Sequence, residues 1–358
     1  YSLIEGAHDR LVYLIETLSP SLVFVDDATR YGAALGLPAL AGIPVLSSHP
    51  RGDAISFETA LKGVNTDVDA AHGLVRPETL AKILFTSGST SHPKGVPTTH
   101  AMMCVNQTQL ADAFPLLRAR PPKILDWLPW NHVFGGSHNF NLMLANGGSL
   151  YIDDGKPTDA LFGRSLENLH MHQGTLAFNV PVGYARQIEA LRSDVDLRKR
   201  FFSNLDFAFY AGAALPQDIW DGLIGMAKEA TGKDLLMISS WGMTETAPAC
   251  LLVHEPVPRA GMLGVPVTGV TARLIPESEG RFELRVNGPN VLKGYYNNPE
   301  KSAAAFDDQG YLITEDAVRF VDPEEPNKGL LFDGRISEDF KLLSGTWARV
   351  ASLRAELL

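Results

Sequence analysis

Between residues 8 and 18, apolar side chains fall at Leu11, Leu14, Ile15 and Leu18, the spacing of one helix face, and Pro20 stops the pattern. Residues 22–25 are a continuous apolar run closed by Asp26 and Asp27, which predicts a strand, and residues 43–46 predict a second. Short apolar runs recur at 83–85, 124–128, 149–152, 175–178, 206–210 and 235–238. Between them, 157–169, 182–191 and 218–229 carry helical periodicity. Buried strands alternating with helices predict an α/β fold of parallel-rich sheets layered with helices. After about residue 256 the rhythm changes. The runs 271–275, 281–286 and 330–332 are broken by Gly and Pro with little helix between them, which predicts a smaller β-rich subdomain. The expected division is therefore 1–255, 256–334 and a remainder, 335–358.

Composition narrows the class. The chain has 358 residues, 45% hydrophobic and 20% charged, enough to bury a large core. Its 31 Lys and Arg against 41 Asp and Glu leave a net charge of −10 with no basic run, which argues against a nucleic-acid partner. An anionic ligand would have to meet a local cluster of donors. Cys104 and Cys250 are the only cysteines and lack metal-ligand spacing, so a reducing, cytoplasmic setting is expected and structural zinc is not. No apolar run reaches membrane-spanning length. The chain begins at Tyr1 and ends on what reads as the start of another element, as expected of part of a longer polypeptide.

Five stretches carry candidate chemistry. After the 83–85 run come Thr86, Ser87, Gly88, Ser89, Thr90 and Ser91, then Pro93, Lys94 and Gly95. Hydroxyls, free backbone N–H groups and one ammonium suit phosphate oxygens, although the P-loop step G-K-[ST] is absent and a plain solvent loop has similar composition. Residues 128–136, LPWNHVFGG, run from a strand end into a turn where His132 could gate a pocket, with His138 nearby. A histidine among aromatics is also a common core residue. In 209–215, FYAGAAL, small residues would let a flat ring approach the backbone, or simply allow tight packing. In 239–248, SSWGMTETAP, polar atoms emerge at the carboxyl end of a strand, where open α/β sheets bind ligands. There Thr244 could bond phosphate and Glu245 could hold Mg2+, or the pair could start a helix. Finally, Asp316 could accept two ribose hydroxyls, with Arg335 as a further donor.

In this order and spacing, the stretches resemble the adenylate-forming superfamily of acyl-CoA synthetases, luciferases and peptide-synthetase adenylation domains. TSGSTSHPKG resembles its phosphate-loop signature, WGMTE its second nucleotide signature, Asp316 and Arg335 its ribose-binding pair, and GYYNNP (294–299) another family box. LPWNHVFGGSHNF, NGGSLYIDDGKP and FDGRISEDFKLLSGTW look like the feruloyl-CoA synthetase branch.

The resemblance implies activation of a carboxylic acid with ATP and Mg2+, then transfer to CoA. It implies a nucleotide site of Thr86, Ser87, Gly88, Ser89, Thr90, Lys94, Ala211, Gly212, Ala213, Trp241, Gly242, Met243, Thr244, Asp316 and Arg335, with Trp241 stacked on adenine. Lys94, His132, Thr244 and Glu245 would act in catalysis, Glu245 as the metal ligand. The acid would lie among His132, Phe134, His138, Phe178, Tyr210, Gly212, Met243 and Pro248, a lining suited to a planar hydroxycinnamic-type acid. Residues 335–358 would be the hinge and start of a C-terminal lid, and a homodimer is left open. Three positions depart from the family pattern: Ser91 and Glu315 stand where Gly is usual, and Ser337 falls at the hinge where Asp or Lys is common. Two further readings stay open, a carrier-protein thiol as acceptor and a non-catalytic nucleotide-binding module.

Overall fold

The computed structural model describes residues 8–62, 66–86, 92–278, 280–338, 340–341 and 347–348. It is a mixed α/β structure. The first helix, His8–Leu18, occupies the predicted span and buries Leu14 and Ile15. β1 (Val23–Asp27), β2 (Val45–His49) and β3 (Ile55–Ser56) form a parallel three-stranded sheet. β4 (Leu80–Thr86) does not join a parallel sheet. It pairs antiparallel with β5 (Lys94–Thr99), and Thr86 stands opposite Lys94. Only positions 87 to 93 connect the two, too few for the crossover of a dozen or more residues that parallel neighbours need.

β6 (Lys123–Asp126) and β7 (Ser149–Ile152) pair in parallel. Among the described residues, the main sheet has nine strands. β8 (Leu176–Asn179), β9 (Phe207–Tyr210) and β10 (Leu236–Gly242) form its parallel edge, with Phe178 and Ile238 flanking Phe209. β11 (Ala249–Leu252) turns back antiparallel on β10, and β12 (Met262–Pro266) continues from it. β13 (Thr271–Ser278), β14 (Arg281–Asn287), β15 (Leu312–Phe320) and β16 (Leu330–Arg335) complete it as an antiparallel meander. Hydrogen-bonded pairing thus runs without a break from the α/β segment into the β-rich one.

All four residues of β9 are buried, as expected of a strand covered on both faces. Phe207 and Phe209 point into a cluster with Phe178, Ile124 and Leu142, whereas Ala208 and Tyr210 point into one with Tyr184 and Leu223. Truncating Phe209 to Ala would empty the first cluster at a cost of about 3–5 kcal/mol. The helix His100–Ala113 starts at a Thr99 cap that accepts from the Met102 N–H. Its apolar periodicity is almost nil because three polar residues, Asn106, Gln107 and Gln109, face the interior. Among the described residues, no helix is long and apolar enough to cross a membrane.

Candidate active site

The β4–β5 hairpin sets Thr86 and Lys94 across from one another at the base of the hydroxyl-rich segment. Ser87, Gly88, Ser89, Thr90 and Ser91 lie outside the described residues. The Thr86 hydroxyl is buried, with no hydrogen-bond partner among the described residues. Lys94 Nζ donates to the Tyr295 hydroxyl at 3.0 Å and sits 4.5 Å from the centre of that ring. Tyr295 in turn donates to Glu245 Oε1, also at 3.0 Å. Burial first, and the Glu245 charge second, hold the Tyr295 phenol well above its ordinary pKa, so it stays a donor. Three chain segments therefore meet at one hydroxyl.

Glu245 occupies a 3-10 turn, Thr244–Thr246, directly after β10, and only 2% of it is exposed. The turn is braced from below. Thr246 Oγ1 accepts from the Met243 N–H and donates to the Pro248 carbonyl. Asn290 Nδ2 donates to the carbonyls of Thr246 and Ala249, and Asn106 both donates to and accepts from Ala249. Gln109 links to Asn290 at 3.2 Å and accepts from Asn106 at 2.9 Å. These amides explain the polar inner face of the helix His100–Ala113: they satisfy backbone groups that a sheet ladder leaves open where the chain turns. Gly242 is required here, because a Cβ at that position would strike the Pro248 carbonyl.

Asp316 and Arg335 are register partners on adjacent strands, β15 and β16. Arg335 Nε lies 3.2 Å from Asp316 Oδ1, without the alignment of a hydrogen bond, while Trp241 Nε1 donates to Oδ2 at 2.8 Å. Oδ1 thus keeps free acceptor capacity. Desolvation raises the Asp316 pKa, and the Trp241 bond and the Arg335 charge partly offset it. These side chains border a cavity of about 260 Å³ walled also by Ala211, Gly212, Ala213 and Gly242. The Tyr210 hydroxyl, at its edge, accepts from the Gly261 N–H at 2.9 Å. Trp241 and Tyr295 share one apolar cluster, with Met243 packed against it, so the cavity and the Lys94–Tyr295–Glu245 node rest on common packing.

The stretch 128–140 forms a π-helical turn, Phe134–Asn139. Such turns are rare and often occur at functional sites. A Cβ on Gly135 would lie 2.6 Å from the carbonyls of Leu128 and Pro129, and one on Gly136 would meet the Trp130 carbonyl. Lys82 Nζ donates to the Gly136 carbonyl at 3.1 Å, and Gln107 donates to that of Ser137 at 3.2 Å. His132 is exposed at the mouth of the turn, and its Nδ1 accepts from the Phe134 N–H. His138 is buried against Phe134, Phe178 and Phe209.

The structure therefore gathers Lys94 with Glu245, and Trp241 with Asp316, Arg335 and Ala211–Ala213. Phe134, His138 and Phe178 form a separate aromatic group. Ala211 packs against the cluster that contains Phe134 and Phe178 and so joins it to the cavity wall. Thr244 and Pro248 flank Glu245 and the turn. Sequence reasoning missed Tyr295, although the GYYNNP box was visible, because nothing in a tyrosine pair says which ring faces inward. It also missed Asn106, Gln109 and Asn290, which carry no motif.

The fold is of the α/β class, and its cavity of about 260 Å³ lies by the carboxyl ends of β9 and β10, bordered by the Asp316–Arg335 pair, where open α/β sheets bind ligands. The defining pattern of the AMP-binding enzyme family matches residues 5–296, and the chain belongs to that family. It is 28% identical over 281 residues to a long-chain-fatty-acid–CoA ligase of Salmonella typhimurium, covering 74% of this chain and 46% of that protein. Feruloyl-CoA synthase of an Amycolatopsis species is also 28% identical, over 268 residues, covering 70% of this chain and 50% of that one. A 3-hydroxybenzoate–CoA ligase of an Aromatoleum species is 26% identical over 94% of this chain and 61% of its own length. The chain thus spans about half the length of the curated relatives it matches. A solved malonyl-CoA ligase, with methylmalonyl-CoA and AMP bound, superposes with a TM-score of 0.69 at 27% identity over 93% of this chain and 65% of that one. An anthranilate CoA ligase gives 0.78 at 21% identity over all of this chain and 66% of its own, a likeness of fold.

Proposed function

We propose that this chain is the nucleotide- and acid-binding part of an AMP-forming acid–CoA ligase acting on aromatic acids of the hydroxycinnamic type. The observation that carries the reading is the pairing of the Trp241–Asp316–Arg335 cavity wall with the Lys94–Tyr295–Glu245 node. Asp316 Oδ1 would accept from the ribose diol, Arg335 would approach the ribose or phosphate oxygens, and Ala211–Ala213 and Trp241 would enclose adenine. Residues 1–255, 256–334 and 335–358 would serve as the core, the β-rich subdomain and the approach to a lid.

The acid carboxylate attacks the α-phosphorus of ATP, forming an acyl–phosphate bond as the bond to pyrophosphate breaks. The CoA sulfur then attacks the acyl carbon and AMP departs. Both steps concentrate negative charge, so this site works mainly by positioning and by fixed positive charge and donors. Lys94 and the hydroxyl segment starting at Thr86 would meet the phosphates, and Thr244 would bond them as well. The donor set fits Mg2+ held by one carboxylate, Glu245, and the substrate's own phosphates, the oxygen ligands this hard cation favours. Bound there, Mg2+ would offset phosphate charge, with Glu245 as its protein ligand. His132, at the mouth of the π turn, would gate entry. Phe134, Phe178, Tyr210, Gly212, Met243 and Pro248 would line the acid's path, with His138 at its end. Cys104 and Cys250 are unpaired, which supports a reducing, cytoplasmic setting.

The test is a panel of cinnamic, benzoic and fatty acids with ATP, Mg2+ and CoA, using the protein that carries this chain. Thioester, AMP and pyrophosphate from the aromatic acids are expected. ADP and phosphate, or no product from any acid, would refute the reading. Acyl transfer to a carrier protein but not to CoA would leave the first step and change the acceptor.

A further inference from the structure

We infer that His138 recognises a ring hydroxyl on the bound acid by accepting its hydrogen bond at Nε2, an assignment that rests on the acid-activating reading above. His138 is 2% exposed in the π turn, with ring centres of Phe134, Phe178 and Phe209 at 5.7, 5.4 and 5.1 Å. Its Nδ1 lies 2.9 Å from Asn139 Oδ1, and Asn139 Nδ2 donates to Asp126 Oδ2 at 3.0 Å. An amide oxygen only accepts, so Nδ1 carries the proton and Nε2 presents a bare lone pair. Asp126, itself 4% exposed and accepting from the Leu128 N–H at 3.1 Å, anchors the series.

Nε2 is buried without any partner among the described residues. An aromatic cage with one unsatisfied acceptor suits a flat ring that brings one donor of its own. A phenolic O–H fits both requirements, whereas an aliphatic chain or an unsubstituted ring would leave the lone pair empty in an apolar surround. Sites built to bond a hydroxyl reject analogues lacking it far more strongly than apolar pockets reject a missing methylene. Ala211 packs against the cluster containing Phe134, Phe178 and Phe209, so the cage adjoins the wall of the nucleotide cavity. That is the position needed for a ring whose carboxylate reaches the phosphates. Asn139 and Asp126 are positioning residues, since they act by fixing the tautomer.

The experiment compares para-hydroxycinnamic with cinnamic acid as substrates of the protein carrying this chain. Wild type should favour the hydroxylated acid in kcat/KM by at least about tenfold. His138→Phe should reduce that ratio to about twofold or less, and His138→Gln, which keeps an acceptor, should restore part of it. Nitrogen NMR of the wild type supplies a readout independent of folding in the variants. The Nε2 resonance should shift towards its hydrogen-bonded value with para-hydroxycinnamic acid and AMP, and stay in place with cinnamic acid and AMP. No preference in wild type, an unchanged ratio in His138→Phe, or an Nε2 resonance indifferent to the hydroxyl overturns the inference. Thioester formed from both acids in those cases leaves the ligase reading intact, whereas no thioester from either removes both.

Discussion

The indole N–H of Trp241 donates to Oδ2 of Asp316 across 2.8 Å, joining positions 75 apart in the chain. In the proposed role of Asp316 as acceptor for a diol, the carboxylate must be held still and kept ionised, and this bond favours both. It is one a tyrosine or phenylalanine ring cannot make from the same place.

Trp241→Phe should leave Oδ2 buried and unpaired, lowering stability by about 1–3 kcal/mol. It should also raise the Asp316 pKa further, because the bond from Trp241 counters desolvation. Acceptance of two hydroxyls needs the ionised carboxyl, so AMP affinity should fall as pH drops through that pKa, and the fall should begin at a higher pH in the variant. Calorimetric titration with AMP across pH checks this, and superimposable pH profiles would count against it.

Glu245→Gln keeps an oxygen acceptor for Tyr295 and removes the charge. The variant should fold within about 1 kcal/mol of wild type. Its Mg2+-dependent release of pyrophosphate should slow by a factor on the order of a hundred or more. Pyrophosphate release at the wild-type rate would show that Glu245 does not serve the metal.

Glu315 has φ +60°, a left-handed conformation that costs roughly 1–2 kcal/mol for an L-residue. Glu315→Gly removes that cost but adds freedom to the unfolded chain, for a net gain of about 0.5–1 kcal/mol. It also removes one of the charges that push the Asp316 pKa up. The urea midpoint should rise with an unchanged slope. A lower midpoint would contradict the expectation.

Gly136→Ala would drive a Cβ into the Trp130 carbonyl. Overpacking of this kind costs about 1–3 kcal/mol and should reopen the turn that presents His132 and His138. Acid KM should rise while AMP binding, on the far side of Ala211, is kept. Equal loss of both would mean the damage is global.

The buried relay makes opposed contributions to pH stability. Burial raises the Asp126 carboxyl from 3.8 to about 6, so stability falls as pH rises through that window, because the unfolded chain releases the proton first. Burial lowers His138 from 6.5 to about 4, so stability rises with pH from about 4 to 6.5, because only the unfolded chain is protonated there. The two nearly cancel between about 4 and 6. Asp126→Asn should expose the histidine term, a steepening of about 1.4 kcal/mol per pH unit in that range. Urea unfolding at several pH values measures it, and the wild-type slope in the variant would refute the coupling.

Much of the fold was legible where one face of an element meets water and the other meets the core. The helix His8–Leu18 announces itself that way, whereas the runs behind β6 to β10 were legible as short apolar stretches, β9 being buried on both faces. The helix His100–Ala113 does not, because Asn106 and Gln109 face inward to bond backbone more than a hundred positions away, and Gln107 faces inward to bond the Ser137 carbonyl. The β4 run was legible as a strand and misread as a member of a parallel sheet, since an apolar run carries no direction for its partner. Glu315 was visible as a departure from a glycine, but its reason, a left-handed backbone, was not.

Residue types and their order along the chain are sufficient to propose a phosphate segment and to pick out a carboxylate after a strand and an Asp–Arg pair, because each follows from local chemistry and resemblance. Which atoms face each other was decided only by tertiary structure. Strand register sets Asp316 beside Arg335, packing turns Tyr295 between Lys94 and Glu245, and a π turn buries His138 with one lone pair unused. Those contacts depend on distances between segments far apart in the chain, and the linear order of residues does not specify such distances.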